Sequence, residues 1–254
     1  MSRATYNIFD DRIRLALDHK PDEKEVSAMK QAGFSWWPGQ NLNVGLWTPQ
    51  AEDYILSLGI QLDEICEADD VESRVQRFKG YAENAEAQAE QAQEYLEERA
   101  NTVRRRENAE KRIANETSRA AHWQRRIAGA IANRAYKDSP DVIERRIKKL
   151  RAEQRKQEKG KKTVQAFLGA WEKCNSLEQA KYIANYDHAG HDFMPDHLSL
   201  WCAIDQGLLT DYKKAAEFCI EHHEKSIVWH DRWIEHLAKR IEFETAMLEA
   251  AKCV

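Results

Sequence analysis

VESRVQRFKGYAENAEAQAEQAQEYLEERANTV, residues 71–103, decides the architecture. Val75, Phe78, Ala82, Ala85, Ala89, Ala92, Leu96 and Val103 recur at alternating steps of three and four, with only Arg99 out of character. That spacing is a heptad seam. Half of it is alanine, and small seam residues let two helices approach closely, so the stretch predicts one arm of an antiparallel hairpin. The seam resumes at Ile113, Thr117, Ala120, Ile127 and Ile131. Between the two runs lies VRRRENAEK (103–111), where the register slips and a turn or stutter is predicted. An unbroken helix from Val71 to Ala135 would reach about 98 Å and strand its seam in water.

Toward the N-terminus the pattern changes. DRIRLALDH (11–19) alternates apolar and polar residues as a half-buried strand does. EKEVSAMKQAG (23–33) has helical spacing and a glycine stop. FSWWPGQNLNVGLWT (34–48) reads as a hairpin turning at Pro38-Gly39. Thr48 and Pro49 then start a helix that closes at Gly59. The prediction is a small Trp-rich α/β module of order β-α-β-β-α over residues 1–65, followed by the helical hairpin over 66–136.

Toward the C-terminus, Ser139-Pro140 starts a helix, DVIERRIKKLRAEQRKQEKGKK (141–162), with a dense basic face and a candidate interruption at Gly160. TVQAFLGAWEKCNSLEQAKYIANY (163–186) supplies one or two amphipathic helices. DHAGHDFMPDH (187–197) is a loop, and Pro195 opens a short helix ending at Gly207. Thr210 caps a last helix of about forty residues, whose stripe runs through Ala216, Cys219, His223, Ile227, His230, Ile234, Leu237, Ile241 and Leu248. Residues 137–254 are therefore expected to form a basic helix and a helical bundle. The predicted fold is mainly α, with a long coiled-coil-like hairpin.

Composition agrees with long helices. Of 254 residues, 32% are charged, and only 10 are glycine and 5 proline, which disfavours a sandwich, a barrel or a Gly-rich disordered chain. No apolar run approaches the ~20 residues that span a bilayer. Asp10 and Asp11 stand where a secretory leader is apolar, so a cytoplasmic, non-membrane protein is expected. The five cysteines show no CxxC spacing, which disfavours a disulfide framework.

The net charge of -4 conceals a strong segregation. Between Arg99 and Lys162 stand 21 lysines and arginines against 8 carboxylates, a net of +13. Removing these from the chain's 39 cations and 43 anions leaves 18 against 35, a net of -17. Such a segment suits a polyanionic partner, or docks a basic arm on an acidic body. Arg104, Arg105 and Arg106, then Arg125 and Arg126, then Arg145, Arg146, Lys148, Lys149 and Arg155 are the candidate partner-binding residues. His122, Trp123 and Tyr136 lie near them and offer rings for base stacking, with the hairpin core as the commoner place for Trp123. Trp36, Trp37 and Trp47 form either the core of the small module or an exposed aromatic platform.

Catalytic signatures are missing. GxSxG, GxxxxGK[ST], HExxH and Gly-rich dinucleotide fingerprints do not occur. No catalytic residue, cofactor or metal is therefore assigned. Asp187, His188, His191, Asp192 and His197 carry ligand chemistry in one loop, but helix capping is the commoner use of such residues. His223 and His230 share a helix face and read as a hydrogen-bonded polar layer.

GFSWWPGQNLNVGLWTP (33–49), RFKGYAENAEAQAEQA (77–92), HWQRRIAGAIANRAYKDSPDVIERRIKKLRAEQRKQEK (122–159) and RWIEHLAKRIEFETAMLEAA (232–251) together resemble a bacterial family catalogued as domain of unknown function 3560. YKDSPDVIERRIKKLRAEQRK (136–156) and WIEHLAKRIEFETAML (233–248) are the closest pieces. A Gly-His-His-Ser-Glu element usual in that family is replaced here by EERANTVRRREN (97–108), so no activity is carried over. The resemblance implies cargo of plasmids and phages, including large proteins that protect an incoming element from host defences. The expected function is accordingly a non-enzymatic accessory protein of a phage or plasmid that binds and obstructs a host defence protein or complex. The alternative is a DNA- or RNA-binding protein that uses the basic segment 99–162. The alanine-rich seam also permits a homodimer.

Overall fold

A computed structural model describes residues 2–38, 41–66, 71–187 and 198–253. Gly39 of the Pro38-Gly39 turn, the histidines of the 188–197 loop and Pro195 lie outside the described residues. The chain is mainly helical and divides into two compact units. The first comprises residues 1–6, 11–64 and 145–246, and the second comprises residues 7–10, 65–144 and 247–254.

The N-terminal module is a five-stranded sheet carrying two helices. Its elements are β1 (Arg3–Asn7), β2 (Arg12–Ala16), α1 (Glu23–Gln31), β3 (Ser35–Trp37), β4 (Leu42–Leu46), α2 (Pro49–Ser57) and β5 (Leu62–Ile65). The strand order is β3-β4-β2-β1-β5. β4 runs antiparallel to both β2 and β3, with Ile13 opposite Gly45 and Trp36 opposite Asn43. Ile13 and Leu15 are fully buried, as the period-two pattern of β2 requires. The observed order is thus β-β-α-β-β-α-β. β1 and β5 add to the predicted β-α-β-β-α because RATYN and LDEI are short, charged and poor in β-branched residues.

Local capping fixes both helices of the module. Asp22 accepts from the Glu25 backbone N–H at 2.8 Å, and the Glu25 carboxylate accepts from the Asp22 N–H at 2.8 Å, a reciprocal capping box. Thr48 accepts from the Ala51 N–H at 3.0 Å, with Pro49 in the first turn. Gly33 follows α1 at φ 89°, a conformation that other residues resist.

The rest of the first unit is helical. It takes most of α5 (Pro140–Glu172), then α6 (Leu177–Ala184), α7 (Leu200–Asp205) and most of α8 (Tyr212–Lys252). Trp171, Ala180, Ala184, Leu200, Ile204, Ala215, Ala216 and Cys219 pack as one buried cluster. α5 runs straight through Gly160 instead of breaking there. A Cβ at Gly160 would stand 2.7 Å from the His230 ring, so glycine is present for close approach.

The second unit contains the hairpin, α3 (Val71–Glu98) packed on α4 (Val103–Lys137). Ala82, Ala85 and Ala92 of α3 and Ala120 of α4 are buried, as the seam spacing predicts, and Ala109, in the stretch read as a turn or stutter, is buried with them. The turn lies at 99–102, earlier than the sequence reading placed it. Thr102 accepts from the Arg105 N–H at 3.3 Å and so starts α4 before the register slip is reached. Val103 consequently leaves the seam and is 75% exposed. Glu116, not Thr117, is buried in α4, and its carboxylate holds Arg119 at 2.9 Å.

Gly45 tests the packing of the sheet. A Cβ there would lie 2.9 Å from the Gly33 carbonyl oxygen, a backbone atom that has little room to yield. Gly45→Ala is expected to destabilise the protein by about 1–3 kcal/mol, read as a lower urea midpoint with an unchanged slope.

Candidate nucleic-acid interface

Two buried polar clusters are the first places to look for chemistry, and both serve the architecture. In one, Asp11 sits at φ 57° between β1 and β2. Its carboxylate accepts from the Tyr6 hydroxyl at 3.1 Å, meets His236 Nε2 at 2.9 Å and pairs with Arg240 at 2.7 Å. Arg240 also faces Glu244, which pairs with Arg146 at 2.9 Å. Trp47 lies flat on His236, with centroids 3.6 Å apart and planes 4° apart. Burial pulls the Asp11 pKa up, but His236 and Arg240 outweigh it and hold the carboxyl below its ordinary value. Burial also pushes the Tyr6 phenol well above its usual range. Further along α8, Arg232 grips α2 through Asp53 at 2.7 Å, Glu52 at 2.9 Å and the Pro49 carbonyl at 3.1 Å.

In the second cluster, Asp187 accepts from the Trp171 indole N–H at 2.6 Å and meets His223 Nε2 at 2.7 Å. Burial pushes the nearby Cys219 thiol up to about 12, which removes its nucleophilic form at neutral pH. His230 Nδ1 bonds Gln157 at 2.8 Å, and burial lowers its pKa. Both histidines thus form polar contacts on the inner face of α8. Among the described residues, no three His, Cys, Asp or Glu side chains gather in a metal-binding arrangement.

The cations point elsewhere. On α5, Arg145, Lys148, Lys149, Arg155, Lys156, Lys159 and Lys162 are all exposed. At 100° per residue they fall on one face, opposite buried Ile147 and Gln157. From Arg145 to Lys162 this stripe runs about 25 Å. Among the described residues, Lys148, Lys149, Arg155, Lys159 and Lys162 meet no carboxylate, while Lys156 has Glu153 at 3.4 Å. Lys159 and Lys162 extend the stripe beyond the residues that the sequence reading placed on it. Helical phase was the signal that could have found them.

Arg146 is a correction. It lies on the inner side of α5 and pairs with Glu244, whose side chain is 3% exposed. Its charge is thus met within the molecule, although its own side chain is 35% exposed. Trp47 is another. At 7% exposure and stacked on His236, it follows the core reading and takes no part in a surface platform. Trp36 and Trp37 remain exposed, and Arg12 lies 5.0 Å over the Trp37 ring.

Within the second unit, Arg104, Arg105, Arg106, Arg125 and Arg126 are exposed on α4. Arg105 donates to Asn101 at 3.0 Å, Arg106 to the Ala100 carbonyl at 3.0 Å and Arg125 to the Ala121 carbonyl at 3.3 Å. Arg126 lies 5.3 Å over the Phe78 ring. Three arginines in the first turn of a helix oppose its macrodipole, and no acidic residue offsets them there. Their charge works against the helix start, although Arg105 and Arg106 tie the 99–102 turn to it through their hydrogen bonds to Asn101 and Ala100.

Residues 95–168 match a family model described as Domain of unknown function (DUF3560). No curated protein and no solved structure matches the chain. The matched segment contains the whole cation-rich stretch from Arg99 to Lys162. Among the described residues, no helix is long and apolar enough to cross a membrane.

Two measurements check the structural reading of the buried clusters. Because folding lowers the Asp11 pKa, its contribution is complete above the unfolded value near 3.9 and fades as pH falls through the lower folded value. Asp11→Asn is expected to cost about 2 kcal/mol at pH 7, with the difference from wild type shrinking below pH 4 in urea titrations. In thiol labelling, exposed Cys66 and Cys253 are expected to react at once, and Cys219 only on unfolding.

Proposed function

We propose that this chain is a non-enzymatic nucleic-acid-binding protein that grips phosphates through the outer face of α5. The observation that carries the proposal is a row of exposed cations on α5, most of which meet no carboxylate among the described residues. Lys148, Lys149, Arg155, Lys159 and Lys162 have no carboxylate partner among the described residues, although the chain carries 43 carboxylates. A face of cations left without such partners keeps its positive field for an external anion. Closely set cations on a rigid helix match phosphate groups, whose neutralisation releases condensed counterions.

A second reading uses the same face on a different partner. An accessory protein of a phage or plasmid would press it against an acidic surface of a host defence protein or complex and obstruct it. The resemblance to a family of mobile-element cargo supports this reading, as does the match of its model to the segment bearing the cations.

Anisotropy titration of a labelled 20-bp duplex at several salt concentrations separates the two. For nucleic acid, log K falls linearly with log salt. Reversal of Lys148, Lys149, Arg155 and Lys159 to Glu is expected to reduce the magnitude of that slope by about 3 to 4. Unchanged duplex affinity and slope in this variant overturns the first reading. A host protein captured equally well after nuclease treatment, and lost in the same variant, favours the second.

A further inference from the structure

We infer that one flank of the α3–α4 hairpin is a single-stranded nucleic-acid track, with the touching rings of Tyr81 and Trp123 forming an aromatic platform at the mouth of a groove, against which one base stacks. This rests on the nucleic-acid reading above but uses a different surface. The groove, a slot of about 170 Å³, is lined by Tyr81, Asn84, Ala85, Gln88, Arg119 and Trp123. That is below the ~300 Å³ at which pockets enclose a whole drug-sized ligand, and it leaves room for one flat ring laid against the aromatic side chains. Tyr81 stands 4.9 Å from Trp123, and Phe78 backs the same indole at 5.4 Å. Tyr81 is 46% exposed, so its ring is offered to solvent instead of closing the seam.

The polar groups around the slot repeat with the helix. Arg105, Arg112, Arg119 and Arg126 are seven residues apart on α4 and all exposed. Seven residues are two turns, so the arginines rise about 10.5 Å at each step along one line. On α3, Tyr81, Gln88 and Tyr95 follow the same interval. No carboxylate occupies either line. Glu83, Glu90 and Glu97 repeat at the same interval about half a turn away from the Tyr81 line, on the back of α3. Among the described residues, Arg119 alone of the four meets a carboxylate, Glu116 at 2.9 Å.

An acidic helix would satisfy the arginines but would leave the aromatic slot empty. A duplex offers phosphates but keeps its bases stacked inside. A single strand supplies both groups, flat rings for the aromatic faces and phosphates for the guanidiniums. The line from Arg105 to Arg126 spans about 31 Å. At the ~3.4 Å rise of a stacked strand this takes about nine nucleotides, within the range seen for single-strand sites.

The test compares labelled (dT)12, an abasic 12-mer with the same phosphates, and a 12-bp duplex by anisotropy on the full chain. The expected result is (dT)12 binding about tenfold or more tighter than the abasic strand. Tyr81→Ala removes most of that advantage, Tyr81→Phe keeps it, and Arg112→Glu weakens both strands. Trp123→Phe keeps a ring in the slot while abolishing any tryptophan quenching that (dT)12 produces. Equal affinity for (dT)12 and the abasic strand, or an advantage that survives Tyr81→Ala, overturns the inference. If duplex binding through α5 persists in that case, only the hairpin slot is lost. If duplex binding fails while the (dT)12 advantage stands, the α5 reading falls and the slot remains.

Discussion

The carboxylate of Asp11 joins parts of the first unit that lie far apart in sequence. It takes a phenol from β1, an imidazole and a guanidinium from α8, and it does so from a left-handed backbone position between two strands. Arg240 passes the chain of charges on to Glu244 and thence to Arg146 of α5. Removing one member of such a buried network leaves its partner charged and unsatisfied, which is why these sites are costly to alter. The same chain of pairs fixes which side of α5 is turned inward. With Arg146, Ile147 and Gln157 turned inward and Lys161 paired with Asp231 of α8, Arg145, Lys148, Lys149, Arg155, Lys156, Lys159 and Lys162 are left on the solvent side.

Much of this was legible in the sequence. The alanine spacing of α3 marks its inner edge, because a seam repeating at three and four residues has one geometric meaning. The strand at Ile13 and Leu15 and the capped starts at Asp22 and Thr48 are equally local. Other features depend on groups distant in the chain. β1 and β5 carry too few apolar residues to show a period, and they exist because a neighbouring strand supplies their hydrogen bonds. The C-terminal half of α8 buries His236, Arg240 and Glu244, residues that a hydrophobic stripe skips. Gly160 reads as a helix break until the His230 ring that needs its missing Cβ is known.

The candidate site shows the same division. Runs and doublets of arginine draw the eye along the string, and they gather Arg145 and Arg146 together although the two lie about 100° apart on the helix and only Arg145 is fully on the exposed face. Phase on the helix sorts them. Position along the helix is a separate signal: the arginines opening α4 stand against its macrodipole whatever their phase. The groove walled by Tyr81 and Trp123 was invisible because its walls belong to different helices, 42 positions apart in the chain.

The segregation of sign has a consequence for how the molecule meets its surroundings. With an isoelectric point near 6.2, the chain as a whole migrates as an anion at neutral pH. Yet a sulfated resin or an anionic bilayer encountered through the α5 stripe meets a local field of the opposite sign. Such a protein is a patchy colloid. Its retention on a charged matrix depends on which face arrives first, and its average charge is a poor guide to the company it keeps.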